Sequence, residues 1–306
     1  MQRSTLDQNI WPWLVATLLA QTAWGAYPVL ARYLQTISRL PSMSIIALST
    51  SVALVIVGGL VRQRVQMRDV AWQRLILFAA VVAGRGVSNF LAARFTLAIY
   101  VQLITMLTPF IVALLSTAVL HERLPRYTGR ALALSMLGVL LIIGSELTGA
   151  QTMPLDNRTD WLGISLALLG SFLLALYMLL VRRSAQHRIT AETLLVVQLV
   201  ALAVTGWTGS LLLGESWLPW TQLNAFDWLI FGLVVFGVLI GANVGQIGAI
   251  RHLGASLVSS TMAWRLVSAI VVGALLLDER LSSLWQVAGV VLVLVTITWY
   301  LWQQRG

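Results

Sequence analysis

The sequence predicts an all-α integral membrane protein, ten membrane-spanning helices built as two inverted five-helix repeats. Three observations carry that reading. Of its 306 residues, 58% are hydrophobic and only 10% charged, with a mean hydropathy of +0.86; soluble domains average about 25% charged residues. Apolar runs long enough to cross a bilayer recur from one end of the chain to the other. The chain also matches itself when slid along its own length.

The ten spans are expected at 12–33, 43–61, 72–93, 97–120, 128–144, 161–181, 193–213, 228–250, 255–277 and 284–301. Each is near the roughly 20 residues that a helix needs to cross. Tryptophans such as Trp11, Trp13, Trp72, Trp161, Trp228, Trp285 and Trp302 fall at or near their ends, where an interfacial belt places them. The segment Met1 to Asn9 is short and polar and lacks a small-x-small cleavage site, so the first span is expected to be retained. The longest polar gap, Glu146 to Asp160, is too short for a soluble domain.

Slid by 157 positions, spans 3–5 lie over spans 8–10 without a gap. Gly84 meets Gly241, Ala92 meets Ala249, Arg94 meets Arg251, and Leu120 to Leu124 (LHERL) meets Leu277 to Leu281 (LDERL). At a slightly different offset, Tyr27 and Arg32 meet Tyr177 and Arg182. Five spans per half is an odd number, so the copies 1–150 and 151–306 must point in opposite directions. Inverted repeats of this kind build secondary transporters, with the solute near the midplane.

All twenty basic residues are arginine. With both termini in the cytoplasm, thirteen of them, including Arg62, Arg64, Arg74, Arg182, Arg183 and Arg251, lie on the cytoplasmic side and five on the other (Arg32, Arg39, Arg94, Arg158, Arg280). The positive-inside rule therefore orients the chain N-in and C-in, and the net charge of +9 carries no nucleic-acid signal. Cysteine is absent, and His121, His187 and His252 form no ligand spacing, so neither a thiol nucleophile nor a metal or other cofactor is expected.

The motifs have a family resemblance. Leu275–Leu294, "LLLDERLSSLWQVAGVVLVL", its first-half copy Ser116–Gly144, and Leu18–Leu34, "LLAQTAWGAYPVLARYL", resemble the EamA-type transporters of the drug/metabolite transporter superfamily over nearly the whole chain. The resemblance implies a fold of two five-helix halves. It also implies movement of small metabolites, such as amino acids, across a bacterial inner membrane. The chain departs from that pattern at Leu266, where the family's ninth helix often has proline; the first-half counterpart is Pro109.

The remaining two arginines, Arg85 and Arg265, lie deep inside spans 3 and 9, with no carboxylate at comparable depth. An ionised side chain at a helix centre costs roughly 2.5–3.5 kcal/mol or more, so such residues usually face a water-filled cavity. Both break the internal symmetry, since Ala242 and Thr108 stand opposite them. Polar stripes surround them at helical spacing. Span 3 adds Asn89, span 1 Trp24 and Tyr27, span 4 Gln102, span 6 Tyr177, span 8 Asn243 and Gln246, and span 9 Trp264. Each has a plainer reading. The amides can be interhelical hydrogen-bond partners, the aromatics core packing, and the arginines capped by backbone carbonyls. Glu122 and Glu279, at helix ends, read as structural partners of nearby arginines.

The expectation is a secondary transporter or facilitator for a small carboxylate-bearing solute, most naturally an amino acid, working by alternating access and exporting across the prokaryotic inner membrane. A guanidinium suits phosphate equally, so the alternative is a phosphate-bearing solute or lipid-linked intermediate. Without a buried acid, downhill facilitation is expected rather than proton coupling. An embedded enzyme would need a nucleophile, base pair or metal, and the spans offer none. The expected partners are the solute and membrane lipid, with the chain a monomer or homodimer.

Overall fold

The computed structural model describes residues 11–64, 72–120, 127–147, 159–186, 189–253, 258, 261–279 and 283–303. They form α1 (Trp11–Thr36), α2 (Ser42–Val61), α3 (Trp72–Phe95), α4 (Ala98–Thr105), α5 (Thr108–Leu120), α6 (Thr128–Leu147), α7 (Thr159–Gln186), α8 (Ala191–Leu212), a 3-10 turn (Leu218–Gln222), α9 (Ala225–Gly232), a π-helical stretch (Leu233–Ala242), α10 (Asn243–Leu253), α11 (Ala263–Leu276) and α12 (Leu284–Gln303). There is no strand among the described residues. Seven helical stretches are long and apolar enough to cross a membrane: 12–36, 42–61, 72–95, 98–115, 161–184, 191–212 and 225–253. The other three expected spans fall on α6 and on two shorter apolar helices, Trp264–Leu276 and Leu284–Tyr300. The second-half motif copy at 280–282, Glu122 and the 148–158 connection lie outside the described residues.

Local sequence explains the breaks. Pro109 lacks an N–H for the Thr105 carbonyl and disfavours helical geometry at the residue before it. α4 therefore closes with tight bonds, Met106 N–H to Leu103 O and Leu107 N–H to Ile104 O, both 3.0 Å. α5 then restarts with Pro109 in its first turn, where the missing donor costs nothing. The second half breaks too, at Thr261–Met262 before α11, although Leu266 replaces the proline. The long helix at 225–253 changes to π geometry over ten residues, a form usually limited to single turns and frequent at functional sites.

Helix pairs fix the bundle: α2 on α8, α3 on α7, α6 on α12, α1 on α11 and on α10 with the π stretch, and α7 on α4 and α5. Carboxylates finish two helix N-termini from elsewhere in the chain. Glu215 accepts from the Met43 and Ser44 amides at 3.0 and 2.7 Å, where the helix dipole favours a negative charge. Glu279 approaches the first amides of α4 and pairs with Arg32 at 3.1 Å. Arg32 also donates to the Ala93 and Thr96 carbonyls, tying α1 to the α3–α4 joint. Burial of the Glu279 carboxyl raises its pKa, and Arg32 and the α4 amides pull it partly back.

Candidate anion site between α1, α3, α7 and α11

Arg85 is buried on α3. Its guanidinium lies over two rings, 4.3 Å from the Tyr177 centroid and 5.3 Å from that of Trp24. Such contacts contribute about 0.5–2 kcal/mol each, the more so when desolvated. The Arg85 side chain makes no hydrogen bond or ion pair with an acceptor among the described residues. Arg265, buried on α11, is held differently. It donates through Nε to Gln21 Oε1 and through Nη2 to Gln246 Oε1 at 3.3 Å, and it lies 5.6 Å from the Trp24 centroid. Among the described residues neither guanidinium is tied to main-chain carbonyls, so the backbone-capped reading of the two arginines is set aside.

Two backbone approaches create this geometry. A Cβ on Gly25 would lie 2.7 Å from Ser268 Cβ and 2.9 Å from Arg265 Cα, so only glycine lets α1 seat on α11 and bring Trp24 over Arg265. A Cβ on Gly170 would lie 2.9 Å from Asn89 Cγ, so α7 leaves that amide room beside Arg85. Pro28, inside α1, cannot donate to the Trp24 carbonyl, leaving that oxygen without its helical partner.

Arg85, Asn89, Trp24 and Tyr27 line two small cavities of about 30 Å³ each. Gln102, Thr105, Pro28 and Arg265 complete one, and Gln198, Leu202, Val234 and Leu239 are among those completing the other. A water needs about 10–15 Å³ on this measure, so each has room for water and not for a metabolite. The roomy vestibule expected around the arginines is therefore closed in this conformation. No Asp or Glu lines either cavity. Several buried polar atoms here have no protein partner among the described residues: Trp24 Nε1, Asn89 Oδ1, Gln102 Nε2 and Tyr177 Oη. Buried polar atoms of this kind call for water or a ligand. Most of them donate, as does Arg85, so the site presents donors to an acceptor-rich group.

The other expected residues are placed as follows. Asn243 accepts from Gln198 Nε2 at 2.7 Å and donates to Leu239 O at 2.9 Å, an interhelical link that lines neither cavity. Gln246 reaches the site only as an acceptor for Arg265. Trp264 does not join it: the side chain is 48% exposed and donates to Thr22 Oγ1 at 2.9 Å. One residue from Arg265 on a helix is a turn of about 100°, which carries Trp264 away from the Arg85–Arg265 cluster. Gln21 and Gln198 carry more than the sequence reading assigned them; a lone amide in the apolar run of α8 was the available signal for Gln198. Nothing in the sequence marks the π stretch except the glycines Gly232, Gly237 and Gly241.

Residues 11–144 match the model of the EamA-like transporter family. That match covers somewhat less than half of the chain and makes this segment similar to that family. With seven helical stretches long and apolar enough to cross a membrane, the match supports a membrane transporter of that type. No curated protein matches the chain. Among solved structures, one described only as the crystal structure of a protein superposes with a TM-score of 0.64 at 18% identity, covering 93% of this chain and 95% of that one. That likeness shows a shared fold, and it runs past the matched segment 11–144 into the rest of the chain.

Proposed function

We propose that this EamA-type chain is a facilitator of small carboxylate-bearing solutes, amino acids foremost. It exports them across the prokaryotic cytoplasmic membrane by alternating access of two inverted halves, 1–150 and 151–306. The observation that carries the solute class is Arg85. It is a cation within a membrane-spanning helix, stacked on Trp24 and Tyr177, with no protein acceptor among the described residues, and it shares a cavity with the unpaired donors Trp24 Nε1 and Gln102 Nε2. One uncommitted guanidinium matches one carboxylate in a bidentate fork. The Arg265 guanidinium already spends two of its donors on Gln21 and Gln246, which favours a carboxylate over a more highly charged phosphate. Asn89 Oδ1, an unpaired acceptor beside Arg85, suits the ammonium of an amino acid.

The inverted-repeat reading is supported by the neighbour relations. Exchanging halves leaves α2 with α8 and α6 with α12, and converts α1 with α11 into α7 with α4 and α5; all of these pairs occur. The absence of an acid among the cavity linings supports downhill movement without proton coupling. The test is transport of a labelled amino-acid panel in liposomes, with and without an imposed pH gradient. Equal net flux down the solute gradient in both is expected; flux that requires the pH gradient contradicts the uncoupled reading.

A further inference from the structure

Ten times larger than either inner cavity is a third, of about 300 Å³, at the end of the bundle where α3 and α8 begin and α7 ends. That volume reaches the lower end of the range for ligand pockets, about 300–1,000 Å³. Its walls are Leu75, Leu77, Phe78, Leu180, Ile189 and Leu194, with Arg74, Arg183 and Ser184 as the polar groups. This is also the end where Arg251 donates to Ile189 O at 2.8 Å, the arginine-rich side.

The same three helices run from this cavity to the central one with one face each. On α3 the face reads Arg74, Phe78, Arg85, steps of four and seven residues, so Phe78 stands about 10 Å, two turns, from Arg85. On α7 it reads Ser184, Leu180, Tyr177, and on α8 Leu194, Gln198, Leu202. Leu194 lines the outer cavity, and Gln198 and Leu202 an inner one. Between the two levels stand two buried rings, Phe78 and Tyr177, with centroids 5.6 Å apart. Phe78 lines the outer cavity, and the Tyr177 ring lies 4.3 Å from the Arg85 guanidinium.

We propose that the outer cavity is a vestibule with its own anion subsite, where Arg74 and Arg183 take the carboxylate of the solute before it reaches Arg85, and that the Phe78–Tyr177 ring pair is the barrier between the two. This rests on the carboxylate reading of the central site. A crevice walled by apolar side chains with two guanidinium groups at its rim concentrates small anions from water. The rings exclude them from the central arginine until α3 and α7 part.

The cysteine-free chain makes the test direct. Ser184→Cys and, separately, Thr105→Cys, which lines an inner cavity, are placed in the full chain in nanodiscs of uncharged lipid. Each is labelled with an anionic and a cationic methanethiosulfonate of similar size, rates being divided by those for a free thiol. At Ser184→Cys the anionic reagent is expected to win by about tenfold, an advantage lost in Arg74→Gln/Arg183→Gln. At Thr105→Cys labelling is slow and rises about tenfold in Phe78→Ala or, if that variant is not monodisperse, in Phe78→Leu. Equal normalised rates at Ser184→Cys remove the anion subsite. Labelling by the membrane-permeant N-ethylmaleimide alone shows a lipid-filled crevice and overturns the vestibule. An unchanged Thr105→Cys rate in a folded Phe78 variant overturns the barrier. The preference at Ser184→Cys is independent of Arg85, so Arg85→Gln leaves it intact, and the outer and central readings fail separately.

Discussion

Trp24 is shared by two cations: the guanidinium of Arg85 lies 5.3 Å from its ring centroid and that of Arg265 lies 5.6 Å away. Two like charges near one ring repel each other, and the negative face of the indole partly offsets that repulsion. An anion bound at Arg85 would offset it further. Trp24→Leu removes the ring and its two contacts, at about 0.5–2 kcal/mol each. Carboxylate binding is expected to weaken about tenfold or more while Trp24→Phe keeps most of it, as read by titration calorimetry.

The two arginines respond oppositely to removal. Arg85 carries a buried charge with no bonded acceptor among the described residues, so Arg85→Gln relieves its desolvation. Replacing buried charge by neutral groups often stabilises by about 1–4 kcal/mol. The variant is expected to melt higher than the wild type without solute and to bind no anion. Arg265→Leu strands Gln21 Oε1 and Gln246 Oε1, each costing about 1–3 kcal/mol when buried without a partner. It should melt lower. Thermal unfolding of both variants in one detergent checks the contrast.

Gly25 tests the close approach that brings these groups together. Gly25→Ala sets a methyl against the Arg265 backbone and Ser268, and overpacking of this kind costs about 1–3 kcal/mol. Separation of α1 from α11 also moves Trp24 off Arg265. Lower stability and lower affinity are expected together; Gly59→Ala, where a Cβ meets nothing, serves as the control.

Glu279 gives a pH signature. Its folded pKa is raised from 4.5 by burial, against the pull of Arg32. The fold therefore favours the protonated form more than the unfolded chain does. The stability that this contributes is complete below pH about 4.5 and is lost as pH rises through the raised folded value. In Glu279→Gln that loss disappears, so the melting temperatures of the two proteins diverge in favour of the variant as pH rises. Parallel profiles would mean that the carboxylate is solvated well enough to titrate as in water.

Seven of the expected spans were readable because hydropathy is a property of each segment, and Arg85 and Arg265 were readable because a charge inside a span stands out against apolar neighbours. Partnership was not readable. Asn243 and Gln246 have the same helical pattern as true lining residues, and only the tertiary fold sends one to Gln198 and the other to Arg265. Trp264 was misplaced because adjacency in sequence is not adjacency on a helix. Arg32 and Glu279, distant in the chain, become an ion pair through the packing of α1 against the end of α11. The π stretch at Leu233–Ala242 replaces one hydrogen-bond register by another, a choice that apolar periodicity does not encode.

The central claim is that Arg85 holds the carboxylate of a small solute. The most direct measurement is a thermal-shift screen of the purified protein against the amino acids and a matched set of organic phosphates. The best ligand is then titrated beside its carboxamide, on wild type and on Arg85→Gln. The account predicts that an amino acid stabilises the wild type, that its carboxamide does not, and that Arg85→Gln responds to neither. Stabilisation by phosphates alone, or undiminished amino-acid binding in Arg85→Gln, would contradict it.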